Sequence, residues 1–376
     1  MEVRAMTSPI DRPPQIFGTG LVALDLVISA NPDVPVRSWA GGTCGNVLSI
    51  LSYLGWDAYP IARLNSDPAA KLIRADMKRW GVHLDFVGCG PTTDTPIIIQ
   101  HILRARDGSP KHRFSWSCPH CGSWLPGFKP VTTKVVDVVA ASMKDAKVFF
   151  MDRLSRAALL LAQQAADNGA VVVFEPSAKS DEKLLREAVG VAHVIKYSDQ
   201  RFEKVLGAME RGSATLVEIQ TLGATGLRFR HRLGRGVSAW KQLAAIPAPL
   251  LADTCGSGDW CTAGLIAKIA GEGREGLVRT GSSGLVAALQ YGQTLAAWNC
   301  SFEGARGGMY VVDRQLLDAH IKALSSGRFE SVPTPVGGKR RPVASVACPA
   351  CPQESNRGRG QSVSSRQDKA RHPTLV

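Results

Sequence analysis

The sequence predicts an α/β protein in which helices cover both faces of a mainly parallel sheet, forming a three-layer sandwich. Two observations predict this class. Short apolar runs rich in β-branched residues alternate with helical stretches of about ten residues, an order typical of parallel sheets with helical crossovers. The chain is also long enough to bury a large core, with 376 residues of which 44% are hydrophobic.

The N-terminal elements begin with paired strands and then alternate with helices. Residues 16–28 are predicted to form a strand, a glycine turn and a second strand. A double glycine then opens an amphipathic helix that Gly55 ends. A strand over 59–64 and a helix over 69–80 follow. Two further strands, 96–104 and 112–116, are joined by a hairpin signal at Asp107-Gly108.

The C-terminal elements continue the alternation. The predicted strands are 147–151, 170–174 and 193–196, and the predicted helices between and after them are 156–168, 182–189, 260–269, 285–299 and 311–324. Residues 215–229 read as strand, glycine turn and strand, which predicts a β-hairpin.

Composition excludes several classes of protein. No apolar run approaches the roughly 18 residues that span a membrane, and residues 1–15 lack the apolar core of a secretory signal. Nine cysteines scattered through so long a chain do not form a disulfide framework, so we expect a cytoplasmic protein.

The positive charge is concentrated at the C-terminus. From Lys339 onward, eight Lys and Arg stand against two acidic residues, which gives +6 of the total net charge of +13. A solvated basic extension is therefore favoured over a nucleic-acid-binding arm.

The motif Asp253-Thr-Cys-Gly256-Ser257-Gly258-Asp259 precedes the helix predicted over 260–269. Glycines before a helix let backbone N–H groups face an anion such as phosphate. Asp259 falls in the first turn, where a carboxylate could accept a proton from a group attacking that phosphate. The alternative is a turn with an acidic cap.

A second glycine motif, Gly41-Gly42-x-x-x-Asn46, opens the first helix. The double glycine permits close approach of the backbone to a ligand, and Asn46 can both donate and accept hydrogen bonds. Asp25 lies inside an apolar strand, where a charge requires a partner or a function. A dinucleotide-binding Rossmann site is rejected because Gly-x-Gly-x-x-Gly is absent.

Together the two motifs resemble those of the PfkB (ribokinase-like) carbohydrate kinase family. Its C-terminal signature is Asp-Thr-x-Gly-Ala-Gly-Asp-x-Phe, in which Ser257 here replaces Ala and Trp260 replaces Phe. The resemblance extends over residues 16–326. It implies a ribokinase-like fold with a small β lid, formed from about 26–39 and 95–116.

The resemblance also implies ATP-dependent phosphorylation of a hydroxyl on a sugar or sugar-containing small molecule. Asp259 would be the general base, with Gly256, Ser257 and Gly258 forming the anion hole. The implied substrate contacts are Asp25, Gly41, Gly42 and Asn46. The implied nucleotide contacts are Thr221, Gly223, Gly226 and Asn299. The implied cofactors are ATP, Mg²⁺ and a monovalent cation. Lid-mediated dimers are frequent among family members, so a homodimer is one allowed state.

One family motif is altered. Members usually carry Asn-x-x-Glu, linked to magnesium and phosphate, where this chain has Ser198 and Arg201. The metal could be held by Asp199 or through water.

Two Cys-x-x-Cys pairs are additional to the family pattern. Cys118 and Cys121 lie in an insertion over 114–130, and Cys348 and Cys351 lie beyond the kinase domain. Two such pairs supply the four ligands of a tetrahedral zinc site if the C-terminal segment folds back beside the lid. A redox-active dithiol and unrelated free cysteines are the alternatives.

The predicted organisation is a flexible N-terminus (1–15), a kinase domain (16–326) and a basic, largely disordered tail (327–376). The competing function is a non-catalytic or regulatory nucleotide- or sugar-binding protein on a kinase scaffold, using the cysteine pairs and the tail to bind a partner.

Overall fold

The computed structural model describes residues 12–88, 94–176, 181–203, 205, 208–210, 212–328 and 348–351. Its strands are β1 Gln15–Thr19, β2 Ala23–Ile28, β3 Arg37–Gly41, β4 Asp57–Arg63, β5 Val87–Gly88, β6 Ile97–Arg104, β7 Pro110–Ser115, β8 Ala146–Met151, β9 Val171–Phe174, β10 Val194–Ser198, β11 Val217–Thr221, β12 Leu227–His231 and β13 Lys241–Leu243. Its α-helices are α1 Thr43–Tyr53, α2 Pro68–Arg79, α3 Val136–Ser142, α4 Arg156–Asp167, α5 Glu182–Val191, α6 Ser257–Ile269, α7 Gly273–Asn299 and α8 Arg314–Ser325.

The central sheet has the strand order β13-β12-β11-β10-β9-β8-β1-β4-β5. All pairs from β11 to β5 are parallel, and β12 and β13 are added antiparallel at one edge. The pair β11–β12 is the hairpin predicted over 215–229. The mainly parallel α/β fold expected from the alternating pattern is therefore confirmed.

Helices cover both faces of this sheet. In β9 every residue is buried, and Val171 and Val173 belong to one core cluster while Val172 and Phe174 belong to the other. Alternating side chains of a strand point to opposite faces, so the two clusters lie on the two sides of the sheet. Helices α1, α2, α6, α7 and α8 contribute buried residues to the first cluster, and α3, α4 and α5 to the second.

A separate four-stranded sheet, which we call the lid, has the order β3-β2-β6-β7. Strands β2 and β6 are parallel, and β3 and β7 flank them antiparallel. These strands come from the two segments expected to form the lid, about 26–39 and 95–116. The prediction differs mainly at β2, which begins at residue 23.

Three helices begin three or more residues away from the predicted start. Helix α6 begins at Ser257 because Gly256 is its N-cap residue and Gly258 lies in its first turn. Helix α7 begins at Gly273 and contains a break at Gly281, where φ is 63°. Helix α8 begins at Arg314 because a 3₁₀ turn occupies Gly307–Tyr310 and Asp313 caps the helix through the Leu316 N–H. Among the described residues, no helix is long and apolar enough to cross a bilayer.

The proposed domain limits remain predictions. The basic residues from Lys339 onward and most of the predicted flexible N-terminus lie outside the described residues.

Candidate active site

The N-terminus of α6 offers a backbone anion site. Gly256 is its N-cap residue in a left-handed conformation (φ 76°, ψ −3°), and no side chain caps the first turn. The N–H of Ser257 donates to Thr254 O at 3.3 Å. An uncapped first turn next to glycines is the geometry that favours a bound phosphoryl group. The functional roles of Gly256, Ser257 and Gly258 remain a proposal.

Substituting Gly256→Ala is expected to disrupt this turn. A Cβ at Gly256 would lie 2.3 Å from Ala305 O, so backbone must move, and left-handed φ costs an L residue roughly 1–2 kcal/mol. Gly236→Ala is the matched control. Gly236 also has positive φ (79°), but a methyl group added there would meet no atom of the described residues within 4 Å. Urea unfolding should show a larger stability loss for Gly256→Ala. Equal losses would contradict the close packing at Gly256.

Asp259 lies in the first turn of α6 and is hydrogen-bonded to the second motif. Asn46 Nδ2 donates to Asp259 Oδ2 at 2.7 Å, across 213 residues of sequence. Burial, reinforced by the negative charge of Glu175, raises the pKa of Asp259 to about 8. The Asn46 hydrogen bond and the Lys196 charge act in the opposite direction. The structure thus joins the two sequence motifs at one buried carboxylate whose pKa lies near neutrality.

A buried ion pair that the sequence analysis missed lies beside this turn. Lys196 Nζ donates to Glu175 Oε1 at 2.7 Å, and Thr262 Oγ1 donates to Glu175 Oε2 at 2.7 Å. A Cβ at Gly258 would lie 3.5 Å from Lys196 Nζ, which places the ammonium next to the anion site. Burial is the largest single effect on the pKa of Lys196 and lowers it, but the charge and hydrogen bond of Glu175, with Cys261 and Asp259 nearby, together outweigh burial and the pKa is raised. A lysine inside the apolar run 194–197 was the available sequence signal.

Asp25 is buried on β2, and its carboxylate lies against Gly41. A Cβ at Gly41 would be 1.9 Å from Asp25 Oδ2, so only glycine leaves room for it. Burial raises the pKa of Asp25 to about 7, although the Arg306 charge partly offsets this effect. Among the described residues, Asp25 Oδ1 has no hydrogen-bond partner. A buried acceptor without a partner is expected to bind a ligand donor or water.

Arg306 positions Asn46, and sequence reasoning missed this role as well. Arg306 Nε donates to Asn46 Oδ1 at 3.1 Å, and Arg306 Nη2 donates to Asp76 Oδ2 at 2.8 Å. Because its carbonyl oxygen accepts from the guanidinium, the amide of Asn46 directs its NH₂ group toward Asp259. The Arg306 side chain is 1% exposed, so this orientation is set within the core.

Asp253, the first residue of the C-terminal motif, links the lid to the α6 turn. Gln100 Nε2 on β6 donates to Asp253 Oδ2 at 2.5 Å, and His112 Nδ1 on β7 lies 3.4 Å from Asp253 Oδ1. The same carboxylate accepts from the backbone N–H groups of Cys255 and Gly304. The lid is therefore held against the site by a buried side chain.

The candidate nucleotide contacts lie at or after the end of β11, with one exception. Thr221 ends β11, and Gly223 and Gly226 form the following turn with φ of 57° and 102°. Thr221 O accepts from Asp199 N–H, so the ends of β10 and β11 are adjacent. Asn299, by contrast, is fully buried and bonds to Ala305 O and the Gly308 N–H. Its position supports a role in holding the 304–308 loop, and nucleotide contact by these four residues stays a prediction.

The four cysteines predicted as ligands lie together near the lid. Their Sγ atoms, from Cys118, Cys121, Cys348 and Cys351, are all within 4.8 Å of one another. The pairing across 227 and 233 residues requires the C-terminal segment to return to the lid, as expected if both pairs share one metal.

Comparison with protein families gives a match over most of this fold. The family described as pfkB family carbohydrate kinase matches residues 35–310, which include both glycine motifs, α6 and the 304–308 loop. A search of curated proteins gave no match.

Solved structures share the fold at low sequence identity. Fructokinase from Xylella fastidiosa with bound ATP is 18% identical with a TM-score of 0.60, covering 77% of this chain and 93% of its own. A nucleoside kinase from Burkholderia thailandensis in complex with inosine is 20% identical, with a TM-score of 0.60 and coverage of 84% and 98%. Arabidopsis thaliana ribokinase complexed with ribose and ATP is 17% identical, with a TM-score of 0.59 and coverage of 82% and 99%. These likenesses establish a ribokinase-like fold.

Proposed function

This chain belongs to the pfkB family of carbohydrate kinases, and we propose that it transfers the γ-phosphoryl group of ATP to a hydroxyl of a sugar or sugar-containing small molecule. The observation that carries the proposal is the Asn46–Asp259 contact at 2.7 Å. It places a buried carboxylate of raised pKa at an uncapped helix N-terminus, beside the predicted substrate residues. A base and an anion site in contact are the two groups that phosphoryl transfer to an alcohol requires.

In the proposed reaction, Asp259 accepts the proton of the acceptor hydroxyl as that oxygen attacks the γ-phosphorus in line, and ADP leaves as the bond from the γ-phosphorus to the β,γ-bridging oxygen breaks. The N–H groups of the Gly256–Gly258 turn and the helix dipole stabilise the negative charge on the transferring group. Lys196, whose ammonium lies beside the turn, adds positive charge there. Asp25 and Asn46 orient the acceptor through its other hydroxyls, and Gly41 and Gly42 permit its close approach.

Magnesium fits this site as an ion that arrives with the nucleotide. Both oxygens of Glu175 are engaged by Lys196 and Thr262, whereas Asp199 is exposed at the end of β10. Mg²⁺ usually keeps several waters and needs only one or two carboxylates besides phosphate oxygens. Asp199 would therefore hold Mg²⁺, directly or through water, and the ion would neutralise phosphate charge.

ATP would lie along Thr221, Gly223 and Gly226. The proposal also includes a monovalent cation as a cofactor.

The proposed acceptors are sugars and nucleosides, and the solved structures with the same fold support this choice. The structures that share this fold include a fructokinase, a nucleoside kinase with inosine and a ribokinase with ribose. The test is ADP formation by the purified full chain across a panel of hexoses, pentoses and nucleosides. One acceptor should give turnover above the acceptor-free rate. A flat panel with retained nucleotide binding would instead support the regulatory, non-catalytic function, with the tail and cysteine pairs as partner-binding elements.

The pH dependence of the reaction should report on Asp259. A base acts in its ionised form, and a pKa of about 8 means that this form accumulates as pH rises. Below that value kcat/KM should rise by about tenfold per pH unit and then level. Asn46→Ala removes a hydrogen bond that lowers this pKa, so the midpoint of the profile should move to higher pH. A midpoint near the ordinary carboxyl pKa, unmoved by Asn46→Ala, would rule out this role.

A further inference from the structure

We propose that Cys118, Cys121, Cys348 and Cys351 bind one Zn²⁺ ion that fastens the C-terminal segment to the lid. This metal site is independent of the proposed kinase chemistry. Each cysteine contributes one sulfur, and the four sulfurs lie within 4.8 Å of one another. Cys118, Cys348 and Cys351 are buried, while Cys121 is exposed. Two Cys-x-x-Cys turns facing each other are a common arrangement of structural zinc ligands.

The spacing of the sulfurs matches one tetrahedral ion. A Zn–S bond of about 2.3 Å places the corners of a regular tetrahedron about 3.8 Å apart. The Sγ atoms of Cys118 and Cys351 are 3.7 Å apart, and those of Cys121 and Cys348 are also 3.7 Å apart. A disulfide would require about 2.05 Å. The sulfurs are thus arranged around a common centre, instead of being bonded in pairs.

Backbone hydrogen bonds close the two turns that carry the sulfurs. The Cys351 N–H donates to Cys348 O at 3.3 Å, which closes the second cysteine turn. Gly122 takes the left-handed conformation (φ 74°) and donates its N–H to Cys118 O, which closes the first turn. Closed turns fix the positions of their sulfurs, and hydrogen bonds outside the ligand atoms orient the ligands in this way. Four thiolates favour Zn²⁺ over Mg²⁺, which prefers oxygen.

The first cysteine pair is part of an extension of the lid sheet. The Cys118 N–H donates to Ser123 O, the Leu125 N–H to Trp116 O, and the Ile97 N–H to Pro126 O. The last of these bonds reaches the first residue of β6, the strand whose Gln100 binds Asp253. A metal ion held here therefore joins residues 348–351 to the lid. It closes a loop between cysteines 227 and 233 residues apart, and metal binding should stabilise the folded state.

The alternative ligand in this region is His120, inside the first turn. Its Nδ1 lies 3.6 Å from Cys351 Sγ. His120 is exposed, and it does not belong to the group of residues whose ligand atoms all lie within 4.8 Å of one another. His120 is therefore a neighbour of the site and serves as the matched control.

The test combines metal analysis with spectroscopy on the full chain. The wild type and His120→Ala should each contain about one zinc per chain, and the double variant Cys348→Ser/Cys351→Ser should contain none. Replacing zinc by Co²⁺ in the wild type should give the intense visible bands and sulfur-to-metal charge transfer of a tetrahedral tetrathiolate. The cobalt measurement needs no variant, so misfolding of the double variant cannot decide the result.

Three results would overturn the zinc site. The first is wild-type protein that takes up neither zinc nor cobalt. The second is zinc that the double variant retains. The third is a thiol titration, in denaturant with chelator and without reductant, that finds fewer than the nine thiols of the sequence, with the missing thiols mapped to these four cysteines. That deficit would show disulfides in place of metal ligands. Kinase activity does not enter these outcomes, so they remain distinct from failure of the proposed function.

Discussion

Asp259→Asn should lower kcat by about two to four orders of magnitude while nucleotide binding persists. The amide cannot accept the proton of the acceptor hydroxyl, but the backbone of the Gly256–Gly258 turn remains in place. Asn is also close to Asp in volume, and its side-chain oxygen can still accept from Asn46. The measurement is steady-state turnover together with calorimetric titration of an ATP analogue.

Asp137→Asn is the matched control for this substitution. Asp137 lies on the exposed surface of α3, so the same chemical change there should leave turnover and binding unaltered. Wild-type turnover in Asp259→Asn would contradict the assignment of the base. Loss of nucleotide binding in that variant would show that the carboxylate supports the fold of the turn and would weaken the catalytic interpretation.

Lys196→Met should lower the free energy of unfolding by about 3–5 kcal/mol, because it leaves the Glu175 carboxylate in the core without its cationic partner. The Lys196 side chain is 2% exposed and its Nζ lies 2.7 Å from Glu175 Oε1, so water cannot easily replace it. Urea unfolding measures the loss. Activity should also fall, since a positive charge beside the anion site is removed.

The double variant Lys196→Met/Glu175→Gln separates charge from packing. With the buried carboxylate neutralised, most of the lost stability should return, and Gln can still accept the Thr262 hydrogen bond through its side-chain oxygen. If Lys196→Met lowers the free energy of unfolding by less than about 1 kcal/mol, the Lys196–Glu175 ion pair behaves as a weak, solvent-exposed pair. A double variant no more stable than the single one would attribute the loss to packing.

Local sequence patterns were sufficient to predict the mainly parallel sheet and the places of Asp259 and Asn46 at the starts of their helices. The alternation of strands and helices predicted the parallel sheet because the spacing of apolar residues differs between the two elements. That spacing shows which side chains each element buries. The Gly-Ser-Gly-Asp motif predicted the position of Asp259 because an uncapped glycine turn and the following helix are fixed by neighbouring residues. The position of Asn46 near the start of α1 was predicted for the same reason, and its role as a substrate contact stays a prediction.

The missed features depend on contacts between distant segments. Glu175 follows β9, and Lys196 lies in the neighbouring strand β10. The two residues meet Thr262 of α6 only when the sheet and the helix pack together. Arg306 reaches Asn46 across 260 residues, which no local pattern reveals. The first part of α7 was missed because its glycines, Gly276, Gly281 and Gly284, weaken its intrinsic helix preference. Leu277 in this part of α7 is fully buried in the first core cluster, so packing stabilises the helix despite its glycines.

The most direct test of the kinase proposal is to follow the γ-phosphoryl group itself. The full chain is incubated with γ-labelled ATP and each sugar or nucleoside of the panel, and the labelled product is identified by mass spectrometry. The proposal predicts label covalently bound to a hydroxyl of one acceptor class, and loss of that product in Asp259→Asn. Label found only as inorganic phosphate, or none released with any acceptor while nucleotide binds, would contradict it.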